Sequence, residues 1–330
     1  MRPQRGHSEA TVTNIVWKRS RLADPYDGLV TAPSPYAESL STIPVVRHEA
    51  HIGGALTRWW EYGPADAAHT VVAIHGYRGD HHGLEPVVAQ LPTTRTVMPD
   101  LPAFGESGPF AGTHTVQAYA DWLVAFHQHI VTTSPASTDV TVLGHSFGSI
   151  VVSAALERGL QPNRVILINP IAAPALAGPK GILSRLALGY YRVAGALPPR
   201  AGGALLGSPI IVRFMSITMA KTKDRELRRW IHAEHGRYFS DYDSARSVVE
   251  GFEASIGDHV HAHVAAFTAP TLLIGAAADQ ITSQRDLHAL HEAIDGAELV
   301  VIDGVGHLIH YEKPREAAAA IAEFLNRDPA

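Results

Sequence analysis

The stretch from Val140 to Ser153, VTVLGHSFGSIVVS, constrains the fold of this chain more than any other. Val140 to Leu143 is a short β-branched and apolar run suited to a buried strand, and Ile150, Val151, Val152 and Ala154 open an apolar helix. Between them stands Gly144-His145-Ser146-Phe147-Gly148. Small residues two before and two after the serine permit the tight backbone that lifts a side-chain oxygen clear of a sheet at a helix N-terminus. The pattern is a nucleophile elbow, and Ser146 is the candidate nucleophile. Gly and Ser also recur together in ordinary turns, so the motif gains weight from its place between strand and helix and from partners downstream.

The rest of the chain supplies a frame for that turn. A continuous apolar run at Thr70–Ile74 and strand-like stretches at Arg95–Met98, Asn163–Ile168, Thr271–Ile274 and Glu298–Ile302 alternate with helical text at Val116–Ile130, Gln284–Ile294 and Pro314–Leu325. This rhythm predicts an α/β fold with a mostly parallel sheet and helices on both faces. VVRHEAHI and ALTRWWEYG flank Gly53-Gly54 and predict an antiparallel hairpin at a sheet edge, with Trp59 and Trp60 as packing residues. After Asn169-Pro170 the strand rhythm stops, and Pro, Gly and Ala mix with helical stretches at Ile182–Val193, Pro209–Ala220 and Arg225–His235. The expected organisation is an N-terminal extension over 1–42, a core built from 43–170 and 264–330, and an inserted helical cap over 171–263. The extension carries a basic cluster, Lys18, Arg19 and Arg21, and reads as an arm packed along the core surface.

Two late loops carry residues that complement a serine. Asp279 follows the strand Thr271–Ile274, and His307 follows Glu298–Ile302. In a parallel sheet the strand C-termini share one edge, so Ser146, Asp279 and His307 can converge there. The chemistry requires these types. An imidazole takes the serine proton during attack and returns it to the leaving group, and a carboxylate holds the imidazole in the right tautomer. The oxyanion of the intermediate would be held by the main-chain N–H groups of Phe147 and of Tyr77, the latter in the loop that begins His75-Gly76.

With these motifs assembled, the chain resembles the α/β-hydrolase superfamily in its capped branch, over roughly Val45 to Leu325. The order Ser146, Asp279, His307 matches the family order, His75-Gly76 matches its oxyanion loop, and DLPAFGES matches an Asp-Leu-Pro-Gly-x-Gly-x-Ser segment with Ala103 at the usual glycine. The resemblance implies an eight-stranded, mostly parallel sheet and a serine carboxylesterase acting on a small or medium acyl ester without cofactor. It also leaves open hydrolysis of a carbon–carbon bond in a β-diketone-like ring-cleavage product, and a ligand sensor whose triad is slow or used once. Relatives that act on haloalkanes or epoxides have an aspartate where Ser146 stands. No carboxylate follows Ile168, where some relatives carry their acid, and Asp303 reads as a turn residue, so Asp279 is the expected acid.

Composition excludes other classes. A net charge of −5 offers no basic footprint for nucleic acid, and zero cysteines exclude thiolate metal sites and disulfides. No apolar run is read as a membrane span and no signal peptide is evident, so a cytoplasmic protein without stable membrane insertion is expected. Oligomeric state is not legible. Among the 20 histidines, His259, His261 and His263 tempt a metal reading, but a solvated connector is the expectation, and no metal is expected. His81 and His82 read as a helix start, and His310 as structural or rim. Tyr190 and Tyr191 read equally as packing or pocket wall. The apolar segments around Phe214 and Met215 fit either an acyl pocket or helices buried against the core.

Overall fold

The computed structural model describes residues 32–133, 139–174 and 181–327, so the cluster of Lys18, Arg19 and Arg21 lies outside the described residues. Eight strands form one sheet: β1 (Val45–Ile52), β2 (Ala55–Tyr62), β3 (Thr70–Ile74), β4 (Arg95–Pro99), β5 (Val140–His145), β6 (Arg164–Ile168), β7 (Thr271–Ala276) and β8 (Glu298–Ile302). Their spatial order is β1-β2-β4-β3-β5-β6-β7-β8. β1 and β2 pair antiparallel, as do β2 and β4, and every other pairing is parallel. The hairpin turns on Gly53 and Gly54, both at positive φ, with Ile52 opposite Ala55.

Helices α1 (Ala37–Ser41), α2 (Glu85–Val88), α3 (Val116–Thr133) and α4 (Phe147–Glu157) occupy the first half. Five more lie between β6 and β7: α5 (Gly181–Ala196), α6 (Pro199–Leu206), α7 (Pro209–Met219), α8 (Arg225–Tyr238) and α9 (Ala245–Gly257). Helix α10 (Gln284–Ala293) joins β7 to β8, and α11 (Ile309–Glu312) and α12 (Pro314–Leu325) close the chain.

Strands β3, β4, β5 and β6 are buried along their whole length, as expected of parallel strands covered on both faces. The two-residue period divides them between two apolar layers. Val72, Val142 and Val165 pack with Trp122 and Phe126 of α3 and Ile150 of α4, whereas Val71, Leu143 and Ile166 pack with Val87 of α2 and Ile321 of α12. Trp59 and Trp60 are divided in the same way, one in each layer.

β3 lies between β4 and β5, so the winding of the chain reverses there. The C-terminal ends of strands flanking such a reversal open a crevice. The loops leaving β3 and β5 are those of His75-Gly76-Tyr77 and of Ser146.

Candidate active site

The elbow has the geometry its sequence predicts. Ser146 stands at φ 54°, ψ −116°, between the end of β5 and the first residue of α4. A Cβ on Gly148 would fall 2.3 Å from the carbonyl oxygen of Ile74, and one on Gly144 would fall 2.5 Å from that of Gly148. Both positions therefore need glycine for β3, β5 and α4 to pack this closely.

Asp279, three residues beyond β7, and His307, five beyond β8, meet Ser146 at the sheet edge. His307 Nε2 lies 2.8 Å from Ser146 Oγ, and His307 Nδ1 lies 2.9 Å from Asp279 Oδ2. Asp279 is an acceptor only, so His307 Nδ1 carries the proton and Nε2 is left to accept from the serine hydroxyl. Asp279 Oδ1 also accepts from the Ile281 N–H at 2.8 Å. Burial opposes the charge on Asp279, but the neighbouring His307 and three hydrogen bonds outweigh it and hold the carboxyl below its ordinary value.

The third of those bonds comes from a residue that sequence reasoning passed over. Asn169, directly after β6 and at φ 46°, donates from Nδ2 to Asp279 Oδ2 at 2.9 Å. It fills the position where a carboxylate was sought and not found. An asparagine before proline at a strand end reads as turn chemistry, and that hid it.

The loop after β3 is braced from both sides. His75 donates through Nδ1 to the Gly76 carbonyl at 2.8 Å and accepts at Nε2 from the Leu101 N–H at 2.8 Å. Burial holds it neutral, with its pKa below the ordinary value. Tyr77 Oη donates to the Val248 carbonyl of α9 at 2.7 Å, and its ring meets Phe147 edge-on at 6.5 Å. Tyr77 and Phe147, the two predicted oxyanion donors, are thus neighbours across the crevice.

Arg78, at φ 60° and 1% exposed, ties this loop to the insertion. Its guanidinium donates to the carbonyls of Phe239 at 2.8 Å and Leu206 at 2.9 Å and to Tyr191 Oη at 3.3 Å, and it stacks over Tyr242. Among the described residues no carboxylate pairs with it. An arginine between a tyrosine and a glycine gives no sequence signal of burial, so this residue too was missed.

The segment DLPAFGES folds beside the loop. Asp100 accepts from the His81 N–H and ring at 2.8 Å and from the Glu106 N–H at 2.8 Å. Ala103 adopts φ 75°, a left-handed conformation that the usual glycine takes without strain, so the departure costs on the order of 1 kcal/mol.

Several histidine expectations also resolve. His81 and His82 open a short 3-10 turn capped by Asp80. Ligand atoms of these three residues lie within 4.8 Å of one another, the spacing of an ion site, but His81 is spent on Asp100 and His82 faces Asp80 at 3.2 Å. Burial disfavours charge on both members of the latter pair, yet their mutual attraction lowers Asp80 to about 2 and raises His82 to about 10. His259, His261 and His263 lie on the connector into β7, where His263 bridges Asp258 and Glu157 at 3.1 and 3.0 Å. His310 is buried against His145, with ring centroids 4.2 Å apart. Tyr191 is buried and stacked on Phe252 at 4.1 Å, which makes it packing.

Two expectations about the insertion are corrected. Phe214 is 68% exposed, so it neither walls an internal pocket nor buries against the core, because among the described residues no helix covers its face of α7. The run Pro199–Met219 is 21 residues long and apolar enough to cross a membrane by length and composition, against the reading that no run reaches such a span. It is divided into α6 and α7 at Gly207-Ser208.

A sequence profile described as the alpha/beta hydrolase family matches residues 71–321. The chain belongs to this family. As an α/β-fold hydrolase it is 26% identical, over 267 residues, to a pimeloyl-[acyl-carrier protein] methyl ester esterase of Neisseria meningitidis, covering 79% of this chain and 94% of that protein. Among solved structures it is similar to a thermophilic esterase from Thermogutta terrifontis, with a TM-score of 0.67 and 22% identity, covering 84% of this chain and 97% of the other. It is also similar to the enol-lactonase from Burkholderia xenovorans LB400, with a TM-score of 0.68 and 18% identity, covering 84% and 100%. At these identities the solved structures speak for the α/β-hydrolase fold alone.

Proposed function

We propose that this hydrolase is a serine carboxylesterase acting on a small or medium acyl ester. Ser146 attacks the ester carbonyl, His307 takes its proton and returns it to the leaving alcohol, and Asp279 orients His307 and stabilises the imidazolium. The N–H groups of Tyr77 and Phe147 receive the oxyanion, each worth about 3 to 4 kcal/mol to the transition state. The chemistry is carried by side chains and main chain alone. Residues 171–263 serve as a cap that sets substrate choice, since sites of this kind lie between a sheet edge and what covers it.

The observation that carries the reading is His307 at hydrogen-bond distance from both Ser146 Oγ and Asp279 Oδ2, beneath a serine at φ 54°. The named activity of the Neisseria relative, a methyl ester esterase, supports the ester over other acyl groups. Steady-state hydrolysis of p-nitrophenyl esters of increasing acyl length tests it, with Ser146→Ala and His307→Ala beside the wild type. Loss of about 10⁴-fold or more in kcat is expected for each substitution. A wild type inactive on every ester would remove the esterase reading and leave the carbon–carbon hydrolase and the ligand sensor.

A further inference from the structure

Helix α7 buries Val212 and a serine on its inward side and leaves an apolar stripe on its outward side. Its inward side holds Ser216, fully buried, with Oγ 2.6 Å from His232 Nδ1 and 2.7 Å from His235 Nδ1 on α8. Its outward side holds Ile210, Phe214 and Ile217, which are 81%, 68% and 55% exposed. At positions i, i+4 and i+7 these three form one stripe. Leu186 and Val193 on α5 are likewise exposed, and of the exposed large apolar side chains among the described residues only Val131 lies away from the insertion and the Asp279 loop.

Charge follows the same segment. Residues 181–223 contain Arg185, Arg192, Arg200, Arg213, Lys221 and Lys223 and no aspartate or glutamate, in a chain of net charge −5. Arg213 is exposed on α7 itself, and Arg228 on α8 approaches the same His232. The C-terminal end of α7 also reaches the site. Lys221 donates from Nζ to Thr218 at 3.1 Å and from its N–H to Glu312 at 2.6 Å, and its stem packs on Gly306 beside His307. The Gln280 carboxamide, next to Asp279, lies against Thr218 and Lys221, and Ile281 beyond it is 48% exposed.

The geometry points to the outer face of α7 as a docking surface for an anionic lipid bilayer, with Ile210, Phe214 and Ile217 in the acyl boundary and the flanking cations on headgroups. An apolar stripe edged by arginine and lysine is what an interfacial helix requires, and a lipid surface needs no complementary pocket for a convex ridge. A second copy of the chain is disfavoured, because a two-fold contact would bring the same cations together. Docked this way, the protein lies on the bilayer and turns the Asp279 and His307 rim toward it. The proposal does not rest on the esterase reading.

The test is co-sedimentation of the full chain with phosphatidylcholine vesicles, with and without phosphatidylglycerol. The wild type is expected to bind the anionic vesicles and to be released by salt. Ile210→Ser/Phe214→Ser/Ile217→Ser should weaken binding about a hundredfold and Arg213→Glu about tenfold. A cooperative melting curve matching the wild type, read independently of activity, shows that a variant is folded. The proposal is overturned if the wild type binds neither vesicle, binds both equally, or binds as well after the triple substitution. It is also overturned if the stripe proves to hold a dimer that the triple variant dissolves, or an acidic protein in preference to vesicles.

Discussion

Along β5 every side chain is buried, and the polar group the site needs, Ser146 Oγ, emerges only where the strand ends, whereas α7 turns its serine inward and its isoleucines and phenylalanine outward. The two regions place polar atoms by different means. In the sheet, burial on both faces fixes the register, so functional groups are confined to the carboxyl edge. In the insertion, position comes from polar anchors: Arg78 on two carbonyls and Tyr191, Tyr77 on Val248, and Glu250 accepting from the His114 N–H at 2.9 Å. An element held by a few directional contacts can leave an apolar face open. A strand inside a two-layer core cannot.

The largest expected effect sits on the sheet side. Asp279→Asn should leave the fold intact and lower kcat by about 10⁴-fold, because His307 loses the acceptor that fixes its tautomer. Asn169→Ala should cost about tenfold, the value of one hydrogen bond to a charged group. Asn169→Asp should cost more than Asn169→Ala, since it sets a second carboxylate beside Asp279 and raises the pKa of one of the two. Steady-state kinetics on the best p-nitrophenyl ester reads all three. Equal rates for wild type and Asn169→Ala would remove Asn169 from the positioning of Asp279.

The next effect tests the joint between the regions. Arg78→Met orphans two carbonyls and a tyrosine hydroxyl inside the protein, a loss of about 3 to 5 kcal/mol of stability. Arg78→Lys keeps the charge but not the planar fork and should recover less than half of it. Urea unfolding measures the loss, and hydrogen exchange locates it: exchange should quicken at Leu206, Phe239 and the Tyr77 loop before it does in β5. If exchange is unchanged at these positions in Arg78→Met, the helices between β6 and β7 are held by other means.

The reading of the sequence succeeded where burial is two-sided. Val71 to Ile74 and Val165 to Ile168 are apolar without interruption, and Val140 to Leu143 is broken only by the buried Thr141, because both faces are covered, and such runs name their own structure. Ser146 follows β5 and Asp279 follows β7, both buried throughout, whereas His307 follows the only partly buried β8, and the three meet where these strands end. Asn169 also follows a buried strand, but its contribution depends on where Asp279 lies, a relation across 110 residues that no local pattern carries. Arg78 was hidden because a long cationic side chain in a glycine loop ordinarily points to water. Helix α7 misled for a different reason. Composition reports that a helix has an apolar face and not what that face meets.

The smallest effect distinguishes the two regions by their response to acid. Burial foremost holds four histidines below their ordinary value of 6.5: His145 at about 3, with the neighbouring His307 adding to it, and His310 well below, on the sheet side. Among the helices between β6 and β7, His235 is held at about 3, with His232 adding to it, and His232 at about 4, with Arg213 and Arg228 adding to it. Each is neutral in the fold and takes up a proton in the unfolded chain, so the stability it permits is complete above pH 6.5 and is lost progressively as the pH falls from 6.5 toward about 3. Urea midpoints measured down through that window should fall for the wild type and fall less steeply for His145→Gln and for His232→Gln, with the larger change in His145→Gln because its depression is the deeper. If instead His232→Gln flattens the decline and His145→Gln does not, acid opens the insertion while the sheet edge stays closed, and the two regions unfold as separate units.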